Sequence, residues 1–260
     1  MVAKVMNEEQ RINICKTGLD QICSMLRSSP QDWRNYVHLA RSVVAHLDQT
    51  TFMRQASRTT EQAWMVAGLQ RLASSDTDSG GIPDLAAWCS QQWMIIYQRD
   101  ARNVAALRGI GQAYMARAQP VLARIHRADR SSSSSGGSSQ QSARSLSASE
   151  EERQSAAATA EAEKRAGTQD YVEARSLLQP ATEYFERAVA AATEQRVLSG
   201  DLLATTAEAY MSLGNASSPR VNERCFRRAV QLLRAASQIR GYSLSRYLQQ
   251  YLEDYSKLLD

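Results

Sequence analysis

The strongest constraint on this chain is a set of apolar spacings suited to paired α-helices. Leu107-x-x-Ile110-Gly111-x-x-Tyr114 puts bulky residues and one small notch on a single helical face. Ala181-x-x-x-Phe185-x-x-Ala188 sets an aromatic ring between two small residues in the same way. The pattern returns as Leu203, Ala207 and Tyr210, and then as Phe226 and Ala229. A small residue within an apolar stripe leaves room for a neighbouring helix to approach closely. Only 12 Gly and 5 Pro occur in 260 residues, which disfavours turn-rich all-β folds. The fold class read from the chain is all-α.

Residues 1–10 are polar and read as a flexible N-terminus. Residues 11–129 read as N-terminal helix pairs followed by the first helix of a repeat unit. Ile12, Leu19, Ile22, Cys23 and Leu26 share one face, and Ser28-Ser29-Pro30 ends that helix. Trp33, Tyr36, Val37, Ala40, Val43 and Leu47 mark the second helix. Ala56, Ala63, Trp64 and Leu72 mark the third, and residues 74–82 form a loop by composition. Pro83-Asp84 opens a fourth helix. Asp100 or Asn103 caps a fifth, which Pro120 is expected to kink or end. Residues 130–168 read as a low-complexity, mostly disordered insertion. Its Ser-rich part is 131–149, and 150–166 forms at most a solvated helix with no face to dock. Residues 169–260 read as C-terminal helices. One is bent at Pro180, one is capped by Asp201 and stopped at Gly214-Asn215, one runs to Gly241, and a last spans 243–259.

These residues resemble the tetratricopeptide (TPR) repeat, a two-helix unit. Leu107, Ile110, Gly111 and Tyr114 match the family's first helix, and Ala181, Phe185 and Ala188 its second. The Ser-rich insertion separates the two halves where the family has a short turn. Leu203, Ala207 and Tyr210 match a first helix again, with Phe226 and Ala229 on the second. Thr206 replaces the usual Leu, Asn222 replaces the usual first Ala, and the connection at 214–219 is longer than the family's. The resemblance covers residues 100–240 well and 15–100 loosely, through Trp33, Tyr36 and Ala40. It implies a TPR-like superhelix of antiparallel helix pairs closed by a C-terminal capping helix. It also implies a groove for a partner segment, where helix phase puts Asn103, Arg108, Gln112 and Glu208. In the capping helix, Tyr247, Tyr251 and Tyr255 fall on one stripe. That stripe either packs on the preceding helix or faces a partner.

No P-loop, dinucleotide fingerprint, kinase motif, nucleophile elbow or H-E-x-x-H is present. Asp76-x-Asp78-x-Gly80 faintly resembles a calcium loop, but Ala87 stands where the bidentate Glu belongs. The chain is therefore expected to be non-enzymatic, with no cofactor and no metal. Cys15, Cys23, Cys89 and Cys225 have no zinc-like spacing and sit in apolar helical stretches. No signal peptide and no membrane-length apolar run are seen. A reducing compartment, cytoplasmic or nuclear, is the expected location.

Net charge is +4, and only 4 of the 31 cationic residues are lysines. Arginine is concentrated late in the chain, with Arg220, Arg224, Arg227, Arg228 and Arg234 on one helical segment and Arg240 and Arg246 beyond it. Glu223 is the one acid in that stretch. Three readings are open: a solvated face neutralised by neighbouring acids, a dock for an acidic peptide, or contact with nucleic-acid phosphates. Little aromatic residue is interleaved there, which disfavours base stacking. The function expected is a protein–protein interaction adaptor or scaffold subunit. The alternative is a nucleic-acid-associated protein using the Arg220–Arg246 face.

Overall fold

The computed structural model describes residues 6–134 and 148–256, and every regular element among them is helical. The chain divides into two compact units, Met1–Ala116 and Arg117–Asp260.

In unit 1, α1 (Glu8–Ser28) starts earlier than expected. Asn7 Oδ1 accepts from the Gln10 N–H at 2.8 Å, and Gln10 Oε1 accepts from the Asn7 N–H at 3.0 Å. This reciprocal cap satisfies two donors that would otherwise fray. Glu8 adds a long-range anchor by accepting from the Thr51 N–H at 2.9 Å and the Thr51 hydroxyl at 2.8 Å. The reading of residues 1–10 as wholly flexible is thus corrected from Asn7 onward. Residues 1–5 lie outside the described residues.

After α1, Pro30 opens a 3-10 segment, Pro30–Tyr36, so Trp33 and Tyr36 precede α2 (Val37–Asp48) rather than belong to it. Two short 3-10 turns lead to α3 (Thr59–Ala73). Then come α4 (Pro83–Arg99) and the first part of α5 (Val104–Ser134). Asn103 caps α5, its Oδ1 accepting from the Ala106 N–H at 3.0 Å. α1 packs against α2 and α3, and α3 against α4. Leu19, Ile22, Leu47, Leu69, Trp93 and Ile96 are all essentially buried in this core.

Two buried glutamines tie unit 1 together. Gln70 Oε1 accepts from the Trp93 indole N–H at 2.7 Å, and Gln70 Nε2 donates to the Gly109 carbonyl at 2.8 Å. One side chain thereby links α3, α4 and α5. Gly109 is required at this crossing, because a Cβ there would lie 2.3 Å from the Trp93 ring. Gln62 donates to the carbonyls of Phe52 and Gln55, both at 2.6 Å, and accepts from Arg99 Nη2 at 2.7 Å. Burial of these amides is tolerated because their polar atoms are partnered.

Unit 2 contains α5 from Arg117, α6 (Ala148–Ala166), α7 (Gln169–Glu194), α8 (Gly200–Asn215), α9 (Pro219–Ser237) and α10 (Arg246–Tyr255). The prolines do not end their helices. Pro120 lies inside α5 and Pro180 inside α7. An interior proline costs roughly 3 kcal/mol, but both are flanked by anchored turns. Ala118 and Val121 are buried around Pro120, and Leu178 and Ala181 around Pro180. Arg124 further fastens α5 by donating to Asp170 at 3.0 Å and Glu173 at 2.7 Å.

The Ser-rich expectation falls largely on residues 135–147, which lie outside the described residues. Beyond them the insertion is helical. α6 is exposed on every side from residue 152 to 161, so it lacks an apolar docking face along that stretch. Only at its end does it meet the unit, with Ala166 buried.

α8 and α9 form the most extensive helix pairing in unit 2 and run antiparallel. Gly214, late in α8, lies against Phe226, early in α9. Gly200, first in α8, lies against Tyr242, just past the end of α9. Ser199, not Asp201, caps α8 by accepting from the Leu202 N–H at 3.2 Å. Asp201 instead occupies the first turn, where its charge suits the helix dipole. α10 starts later than the expected 243, after the Ser245 cap, and the last residues of the expected 243–259 lie outside the described residues. Leu203, Ala207, Met211, Ala229, Leu233, Ala236 and Leu248 make the shared core of α8, α9 and α10.

Candidate interaction surface

The arginine-rich face is built by the periodicity of α9. Pro219 fixes the first turn. Ala229, Val230, Leu232, Leu233 and Ala236 turn inward and are buried. Helix phase then puts Arg220, Arg224, Arg227, Arg228 and Arg234 on the opposite arc.

The structure divides these cations into two sets. Arg228 Nε and Nη2 donate to the two carboxylate oxygens of Glu186 on α7 at 2.7 and 2.9 Å. This forked, half-buried pair holds the Arg228 guanidinium above its ordinary pKa, chiefly through the hydrogen bonds to Glu186. Tyr210 on α8 borders the same carboxylate. Burial, and then the neighbouring Glu186, push its phenol up to about 12. Arg220 pairs with Glu163 of α6 at 2.6 Å, and Arg227 with Glu223 one turn earlier on α9 at 2.7 Å. The second set is Arg224, Arg234, Arg240 and Arg246, which are exposed and have no acidic partner among the described residues.

This division has a measurable consequence. Arg228→Ala is expected to lower stability by about 1 kcal/mol, because it strips Glu186 of its partner in a half-buried site. Arg224→Ala is expected to stay within about 0.5 kcal/mol of wild type. Denaturant midpoints measured side by side check both. Equal effects would mean that the two arginines do not differ in structural role.

The groove residues expected from helix phase fall at the start of α5 and on α8. Asn103, Arg108 and Gln112 belong to unit 1, and Glu208 to unit 2. Asn103 is engaged as the α5 cap, while Arg108 and Gln112 are half-buried. Glu208 is exposed, and its carboxyl is raised above the usual range, first by surrounding atoms that displace water and then by Asp201.

The tyrosine stripe is split as well. Tyr247 is 65% exposed and Tyr255 44% exposed. Tyr251 packs against the α8–α9–α10 core and stacks on Tyr255 with ring centres 4.5 Å apart. Burial, then its tyrosine neighbours, push the Tyr251 phenol up to about 12. Phe226 is half-buried rather than central to the core, with the Tyr255 ring 6.4 Å away.

The acids that partner Arg228 and Arg220 left no local trace in the sequence, since Glu186 and Glu163 lie on other helices. The Glu223–Arg227 pair, at i and i+4, was legible. Among the described residues, no group of three or more His, Cys, Asp and Glu is placed to hold a metal. No helix among them is long and apolar enough to cross a membrane. Comparison with protein-family models, curated proteins and solved structures finds no match to this chain.

Proposed function

We propose that this chain is a non-enzymatic interaction adaptor or scaffold subunit, built from TPR-like helix pairs that hold a segment of a partner protein. The observation that carries this reading is where the motif residues lie. Leu203, Ala207 and Ala229 are buried in the antiparallel α8–α9 hairpin, and Ala181, Phe185 and Ala188 are buried along α7. Small residues at these positions suit closely packed helix pairs of the repeat kind, whose concave groove serves binding. Cys15, Cys23 and Cys89 are free and buried, which suits a reducing, cytoplasmic or nuclear setting.

Affinity capture of the tagged chain, with and without nuclease, tests this reading. A stoichiometric protein partner that survives nuclease is the expected result. The exposed arginines favour a second reading, contact with nucleic-acid phosphates. Recovery that collapses on nuclease treatment and falls steeply with salt would support it instead. A chain that retains no partner even after chemical cross-linking would overturn the adaptor reading.

A further inference from the structure

We propose that Arg224 and Arg234 on α9 read an acidic peptide segment, gripping two of its carboxylates, with Arg240 and Arg246 extending the positive field beyond the helix. This rests on the adaptor reading and names the chemistry of the partner segment. The rest of the same helix supplies the recognition chemistry. Arg228 grips Glu186 through two bonds, and Arg220 and Arg227 hold Glu163 and Glu223. The face thus already takes carboxylates from α6, from α7 and from α9 itself. Arg224 and Arg234 are exposed on that face, and no carboxylate reaches them among the described residues. Guanidinium forks match planar carboxylates, so an incoming Glu or Asp side chain completes the pattern.

Spacing defines the ligand further. Arg224 and Arg234 are ten residues apart, or about 15 Å along the helix axis at 1.5 Å per residue. An extended peptide covers that distance in about four to five residues. The segment therefore carries acids at about that interval, each meeting one arginine. Two observations favour a peptide over nucleic acid. Glu163, Glu186 and Glu223 already neutralise Arg220, Arg228 and Arg227, so among the described residues the uncompensated charge on α9 is confined to Arg224 and Arg234, which suits two separated carboxylates better than a continuous phosphate backbone. Phe226, the aromatic residue interleaved among these arginines, is half-buried, with Gly214 at its ring and Tyr255 stacked near it, so it is no platform for bases.

Fluorescence anisotropy on the full chain tests the proposal. The probes are a labelled extended peptide with two glutamates about five residues apart, its glutamine counterpart, and a single-stranded oligothymidine. Saturable binding of the glutamate peptide is expected, with the glutamine peptide weaker by roughly tenfold or more. The double variant R224E/R234E is expected to lose the glutamate peptide to a similar degree while keeping the wild-type circular dichroism and thermal midpoint. The proposal is overturned if that variant binds as wild type, if the glutamine peptide binds equally well, or if oligothymidine binds more tightly than the peptide. Partner capture with the same variant separates the two levels. A partner kept by R224E/R234E leaves the adaptor reading standing and removes the arginine site. A wild-type chain that captures nothing removes the adaptor reading itself.

Discussion

Phe185→Ala is expected to reduce the stability of unit 2 by about 3–5 kcal/mol. Phe185 is fully buried on α7, and its neighbours along the inner stripe are small: Ala181, Ala188 and Ala192 are also fully buried. Alanines have no side-chain reach with which to fill the vacated ring volume, so most of the cavity would persist. That puts the substitution toward the upper part of the usual range for a lost aromatic ring. Urea unfolding followed by far-UV circular dichroism measures the effect. A midpoint close to wild type would show that α7 does not bury this ring as described. Phe185→Leu is expected to restore a large part of the loss, because it refills much of the volume.

The next largest effect is expected at Gln70. Gln70→Leu keeps the side chain's approximate size but leaves the buried Trp93 indole N–H without an acceptor. It also removes the second donor to the Gly109 carbonyl. An unsatisfied buried donor plus the lost bonds is expected to cost about 2–3 kcal/mol. Trp33, Trp64, Trp88 and Trp93 all lie in unit 1, so tryptophan fluorescence reports this unit during unfolding. A Trp93→Phe change made in the Gln70→Leu background is expected to cost less than the same change in the wild type, since the orphaned N–H is already a liability there. Additive costs in the two backgrounds would show that the amide and the indole are not coupled.

Helices were legible in this sequence wherever an apolar stripe ran long enough. The stripes of α1, α3, α4, α8 and α9 are visible as three- and four-residue spacings; Ile12, Leu19, Ile22, Ala63, Leu72, Leu85, Cys89, Leu203, Ala207 and Ala229 are buried, whereas Trp64 on α3 and Met94 on α4 are exposed. Boundaries were less legible, for physical reasons that differ from case to case. The start of α1 depends on a reciprocal Asn7–Gln10 cap and on Glu8 reaching Thr51, and the second of these is long-range. Ser199 and Asp201 both suit a cap, and the choice is made by which oxygen meets the Leu202 N–H. From the missing N–H and the ring clash alone, Pro120 reads as a kink or an end and Pro180 as a bend. Buried turns on both sides of each proline supply what the local signal cannot show.

The arginine face was legible as a face but not as two sets. Sequence spacing aligned Arg220, Arg224 and Arg228 as equivalents. Their roles separate only once Glu163 and Glu186 arrive from other helices. An alanine change at Arg228 therefore mixes a structural effect with any binding effect, whereas Arg224 and Arg234 isolate the surface.

That division also governs how α9 can drift over generations of descent. Substituting Arg228 strands Glu186, so purifying selection on folding alone resists change there, whatever the protein binds. Arg224 and Arg234 carry no such obligation, and the fold accepts many polar residues at either position. In a lineage free of any other demand, these two codons would wander first. Arginine retained at both, while neighbouring exposed positions vary, would be the imprint of a partner and not of the fold.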